Sequence, residues 1–189
     1  MQAKKFNLKE TGLSERQIEE HINLYEGYCS KIEEIRAKIF SSEKQGNATY
    51  SEIRELKIEE GFCINAIKLH ELYFENIEKE NFGEIPEEIK SLVEKDFLNY
   101  ENWKKEFFEC ALSARGWVIL AYDLKDNKLH NYIADMHNQG IVLDIVPLLV
   151  LDMYEHAYFI DFGTDKKSYI NLFLENINWK IAEERTGRI

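Results

Sequence analysis

The sequence predicts an α+β protein: an N-terminal antiparallel helical hairpin followed by a mixed domain with a three-stranded antiparallel sheet and flanking helices. Three observations carry this expectation. Apolar residues recur at three- and four-residue steps through two long stretches of the first half. After Gly116 the texture changes to β-branched and aromatic runs. A final stretch, Lys166 to Glu183, returns to the helical period.

The first helix opens at Ser14 to Gln17, which reads as a capping box, and runs to about Phe40. Its apolar face is Ile18, His21, Ile22, Tyr25, Tyr28, Cys29, Ile32, Ile35 and Ile39. The loop "SSEKQGNA" breaks it, and Thr49 to Glu52 looks like a second capping box. The helix that follows buries Cys63, Ala66, Ile67, His70, Tyr73, Phe74 and Ile77. So short a loop makes the two helices antiparallel neighbours. "NFGEIP", Asn81 to Pro86, is the expected boundary, dividing a hairpin domain (1–84) from an α+β domain (85–189). Two shorter helices are expected from Pro86 to about Lys95 and from Phe97 to about Leu112. "WVILAYD" and "KLHNYIAD" then form a hairpin through Lys125 to Asn127, "VPLLVLDM" is the third strand, and Lys166 to Glu183 closes the chain as one amphipathic helix.

Composition excludes several classes of function. Hydrophobic residues at 44% and charged ones at 31% describe an ordinary globular chain, and 189 residues can bury a sizeable core. A formal net charge of −11 argues against nucleic-acid and anionic-membrane partners, which select basic patches. Apolar runs such as "IVPLLVL" are too short to cross a bilayer, and "MQAKKFNLKE" lacks the apolar stretch of a signal peptide. Cys29, Cys63 and Cys110 are odd in number and lack metal-type spacing, so reduced, mostly buried thiols and a cytoplasmic location are expected.

The chemistry concentrates in "PLLVLDMYEHAYFIDF", Pro147 to Phe162, where Asp152, Glu155 and His156 stand among residues that favour leaving water. Buried charge requires partners, and a metal ion satisfies several groups at once. His21 and His70 each lie mid-face on one of the two paired helices. A histidine in such a place is ordinarily a core residue bonded to a carbonyl, but one on each of two facing helices is also how bundles build metal sites. Asp152 and His156 are four apart, which suits one helical turn or a strand end running into a turn. Three imidazoles and one carboxylate suit iron, manganese or zinc, and ligand type alone does not choose among them.

"LLVLDMYEHAYFIDF…YINLFLENINW" resembles the C-terminal signature of the iron/manganese superoxide dismutases, usually seen as D-x-W-E-H-A-Y-Y. "NAIKLHELYF" is similar to their N-H-x-x-Y-W motif, "ARGWVIL" to their G-S-G-W-x-W-L, and "YENWKKEF" to the helix before it. The likeness runs from about Leu13 to Trp179. It implies that His21, His70, Asp152 and His156 are the ligands of one ion per chain, iron or manganese with iron favoured. It makes Tyr28 the gateway tyrosine, Trp117 a wall of the site and His137 the residue beside the metal-bound solvent. Glu155 matches the glutamate that reaches the ligand histidine of a second subunit, so a homodimer or a tetramer is implied.

The chain also departs from that family's pattern. Tyr28 is seven residues after His21 where eight is common, so an ungapped register would put Cys29 at the gateway. Tyr25 stands in place of a histidine, Tyr154 of a tryptophan, Phe159 of a tyrosine and Gly163 of an arginine. His130 matches no motif and is expected at the surface. The activity implied is disproportionation of superoxide to oxygen and hydrogen peroxide. The alternatives are a metal-binding homologue with lost or altered dismutase activity, and a metal oxygenase or hydrolase.

Overall fold

The computed structural model describes residues 1–78 and 84–189. Part of the expected boundary, Asn81 to Gly83, lies outside them. α1 (Glu15–Ser41) and α2 (Glu52–Ile77) form the hairpin, α3 (Glu87–Phe97) and α4 (Tyr100–Ser113) follow, and β1 (Trp117–Asp123), β2 (Lys128–Ala134) and β3 (Ile145–Asp152) make the sheet. A single 3-10 turn (Glu155–Ala157), α5 (Phe159–Phe162), α6 (Lys166–Glu175) and α7 (Trp179–Thr186) complete the chain. The architecture is the α+β arrangement expected.

Helix starts follow side-chain chemistry, with one correction and one refinement. Ser14 caps α1, its Oγ accepting from Gln17 N at 3.1 Å. The return half of the capping box is absent, because Ser14 N donates to Asp161 Oδ2 at 2.7 Å and the Gln17 side chain turns inward. The cap of α2 is Ser51, not Thr49: Ser51 Oγ accepts from Arg54 N at 3.3 Å. The Thr49 and Tyr50 amides are instead taken by Asn47 Oδ1, in an Asx turn that delays the helix.

Between α3 and α4 the break falls later than Lys95. Leu98 adopts φ +73°, and Asn99 caps α4 through Oδ1 accepting from Asn102 N at 2.8 Å. The expected C-terminal helix is two helices. Asn178 ends the run by donating its amide to Asn76 O at 2.7 Å and its Nδ2 to Glu78 O at 2.9 Å, while its Oδ1 caps α7. Those partners are about a hundred residues away in sequence, which is why local periodicity misses the break.

The sheet order is β2-β1-β3, all antiparallel. β1 is buried on both faces for all but its last residue, which explains its unbroken apolar sequence. The register with β3 shifts between Leu120 and Ala121, and Pro147, which has no N–H to give, sits at that bulge opposite Ala121. Beyond the bulge the pairing puts Trp117 opposite Asp152. On the other side of β1, Gly116 lets the end of β2 come close: a Cβ there would stand 2.7 Å from Ala134 O. Asn76 joins α2 to β3, accepting from Val150 N at 2.9 Å and donating to Leu148 O at 3.2 Å. From α7, buried Arg185 donates to the same Asn76 Oδ1 and to Leu148 O, and pairs with Glu75 at 2.8 Å.

Candidate metal centre

Four side chains converge where the hairpin meets the end of β3. His21 lies midway along α1, His70 midway along α2, Asp152 is the last residue of β3 and His156 lies in the 3-10 turn. Their potential ligand atoms all lie within 4.8 Å of one another. Asp152 Oδ2 is the hub, at 3.2 Å from His21 Nε2, 3.6 Å from His70 Nε2 and 3.1 Å from His156 Nε2. Of the two readings of the Asp152–His156 spacing, the strand end running into a turn is what forms.

Burial prepares these groups for a cation. Asp152 and His70 are fully buried and His21 is 2% exposed. Burial lowers the pKa of His21, and that of His70 to about 3, so both rings are neutral. Burial opposes ionisation of Asp152, but the His156 and His21 imidazoles outweigh it and hold the carboxyl below the usual range. His70 Nδ1 faces Ala66 O at 2.6 Å. A carbonyl only accepts, so Nδ1 carries the proton and Nε2 presents a lone pair. His21 Nε2 and His70 Nε2 are buried without any hydrogen-bond partner, the former despite its nearness to Asp152. Two orphaned imidazole nitrogens facing one carboxylate form a nitrogen-and-oxygen cage that fits a first-row cation.

A second set of residues lines that cage, packing against the His70 ring. Trp117 Nε1 donates to His137 Nδ1 at 3.0 Å, and Tyr28 Oη lies 3.2 Å from His137 Nε2. His137 is 1% exposed, and burial takes its pKa down to about 4. It is therefore neutral, and since indole N–H only donates, its one proton sits on Nε2 and is given to Tyr28 Oη. The Tyr28 hydroxyl proton is left free for another acceptor. Cys29, the other candidate for that position, is buried among core residues.

Glu155 is exposed, and its carboxylate has no ion-pair partner among the described residues. It borders a hollow of about 610 Å³ with His156, Phe159 and Ile160. His130 is half-buried and pairs with Asp126 at 2.8 Å, away from the cage.

Sequence reasoning missed three supports. Gln17, fully buried, donates to His156 O at 2.6 Å and accepts from Ile160 N at 3.1 Å, pinning the 3-10 turn to α1. Its position one turn before His21 was a usable signal. Tyr169 Oη donates to Asp152 O at 2.8 Å, and Tyr73 Oη lies 3.1 Å from Tyr169 Oη. Nothing local announces that pair, which joins α2 to α6. Tyr154 N donates to Asp152 Oδ1 at 2.9 Å, and its ring stacks on His156 at 5.2 Å.

Residues 85–185 match the model of the iron/manganese superoxide dismutases, C-terminal domain. The chain is 38% identical to a "Superoxide dismutase [Fe]" of Aquifex aeolicus over 179 residues, covering 92% of this chain and 84% of that protein. It is 34% identical to one of the same name from Cupriavidus metallidurans, covering 94% and 90%. To a "Superoxide dismutase [Mn]" of Haloarcula marismortui it is 33% identical, covering 87% and 80%.

Proposed function

Because the chain belongs to the iron/manganese superoxide dismutase family, we propose that it disproportionates superoxide at the cage formed by His21, His70, Asp152 and His156. The observation that carries this reading is the convergence of two unpartnered buried imidazole nitrogens on the Asp152 carboxylate. Iron or manganese held there would supply the one-electron couple that oxidises one superoxide to oxygen and reduces another to peroxide. Iron, one ion per chain, is favoured because the relatives at 38% identity carry iron in their names.

The residues divide the remaining work. Asp152 contributes one negative charge, and the three histidines contribute lone pairs, so the cage would hold a cation without neutralising it fully. Peroxide formation needs two protons. Tyr28 Oη, accepting from His137 Nε2, keeps its own proton available to a reduced oxygen species arriving beside it. Trp117 holds His137 in the tautomer that makes this possible. Tyr154 and Gln17 keep Asp152 and His156 from rotating out of the cage.

We also propose a homodimer or tetramer, with the exposed Glu155 carboxylate meeting His156 of a second copy, and a cytoplasmic location. No helix of the described residues is long and apolar enough to cross a membrane, and the formal net charge of −11 disfavours nucleic-acid partners. Elemental analysis and a superoxide assay on one purified sample test the reading. It requires about one iron or manganese per chain and superoxide removal proportional to that metal. A metal-replete protein that leaves superoxide untouched would instead be a binding homologue.

A further inference from the structure

Several phenols pack near the ligand rings, and their hydroxyls are not equivalent. Tyr28 Oη is paired with His137, Tyr73 with Tyr169, and Tyr169 with the Asp152 carbonyl. Tyr25 differs. It is fully buried, its ring lies 6.4 Å from that of His70 and 5.8 Å from that of Phe74, and Phe74 in turn lies 4.9 Å from His21. Its hydroxyl donates to Glu71 Oε1 at 2.9 Å and accepts from the Lys4 amide at 2.9 Å. Tyr132 also donates to a carboxylate, that of Asp123, but at the end of β1 remote from Trp117.

A phenol that loses an electron becomes a strong acid, so its oxidation is easy only where a base takes the proton at once. Glu71 is such a base. Its other oxygen is paired with a partly exposed cation, since Lys4 Nζ lies 2.8 Å from Glu71 Oε2 and 3.1 Å from Glu75 Oε1 with its side chain 53% exposed. When Glu71 is protonated, Lys4 keeps Glu75 as its partner. Burial raises the Tyr25 pKa, so at rest the group is the neutral phenol.

We propose that Tyr25 is a one-electron donor to the metal centre, spending itself on stray peroxide before the ligand histidines are attacked. Hydrogen peroxide, the product of the activity, becomes two waters by accepting two electrons and two solvent protons as its O–O bond breaks. One electron comes from the reduced ion, which ends oxidised. The other comes from Tyr25, whose O–H bond breaks, the proton binding Glu71 Oε1 and leaving a phenoxyl radical. The inference rests on the dismutase reading for the resident ion and for the source of peroxide.

The test mixes iron-loaded, reduced protein with hydrogen peroxide without oxygen, freezes it within milliseconds and records the electron paramagnetic resonance spectrum. Wild type should give a tyrosyl radical, Tyr25→Phe should lose it, and Tyr28→Phe should retain it. Glu71→Gln, which keeps the phenol but removes the base, should weaken it several-fold. Iron content and thermal melting confirm that each variant is folded and loaded. No tyrosyl radical in iron-replete wild type, or one undiminished in Tyr25→Phe, overturns the proposal. Because peroxide is added directly, a wild type that forms the radical but does not consume superoxide sinks only the dismutase reading. A wild type that takes up no iron sinks both.

Discussion

Trp117 gives its indole N–H to Nδ1 of His137 across 3.0 Å, and this one contact decides which nitrogen of that buried ring holds the proton. With Nδ1 occupied as acceptor, Nε2–H faces Tyr28 Oη. Nitrogen NMR of the metal-free protein should show His137 as the Nε2–H tautomer at neutral pH. In Trp117→Phe the ring loses its donor, the tautomers should mix, and dismutation per bound ion should fall. An Nδ1–H signal in wild type would reverse the polarity of the relay.

His70 carries a buried nitrogen with no partner, so the metal-free fold bears a desolvation cost of about 1–3 kcal/mol there. His70→Leu removes that orphan along with a ligand. The metal-free variant should melt no lower than the metal-free wild type. The variant should also lose the rise in Tm on adding iron or manganese, which amounts to about 2.7 kcal/mol of stability at a hundredfold excess over Kd. His70→Ala should abolish metal retention outright, as elemental analysis would show.

Gln17 bonds both to the His156 carbonyl and to the Ile160 amide. Gln17→Leu leaves two backbone groups without that partner, at about 1–3 kcal/mol for each one that stays buried and unpaired. The 3-10 turn bearing His156 should loosen. Chelator competition should then show weaker metal binding, with His21 and His70 untouched; unchanged affinity would make Gln17 a purely structural bridge.

Arg185 is 5% exposed, and Glu75 is its ionic partner. Arg185→Ala leaves the Glu75 carboxylate with Lys4 alone and removes the donors to Asn76, Leu148 and Leu72, so a loss of about 1–3 kcal/mol is expected in denaturant melts.

The same pair sets a pH dependence. Burial alone would raise the Glu75 pKa, but Arg185 and Lys4 outweigh it and bring it below the ordinary 4.5. A depressed folded pKa contributes stability that is present above 4.5 and lost as pH falls through the folded value. Tm should therefore drop more steeply below about pH 4.5 in wild type than in Glu75→Gln. Parallel acid limbs would count against it.

Local chemistry made much of this molecule legible before any folding was considered. The three-to-four-residue period placed His21 and His70 on buried helix faces, and the capping signals at Ser14 to Gln17 and Thr49 to Glu52 put the helix starts within a few residues. Where the reading slipped, a competing partner lay elsewhere: Asn47 took the amides that a Thr49 cap would have used, and Asn76 and Glu78 drew Asn178 out of a continuous helix. The Gln17 side chain, expected to close its own helix end, was claimed by His156.

By itself the sequence determined which residues could ligate a cation, because ligand type and helical face depend on neighbours a turn away. Only the tertiary structure decided that four of them meet at Asp152 Oδ2, that His137 carries its proton toward Tyr28, and that Arg185 closes the hairpin onto the sheet. Those outcomes depend on hydrogen bonds between residues tens to more than a hundred positions apart. Such bonds form only once packing has excluded water as a competing partner.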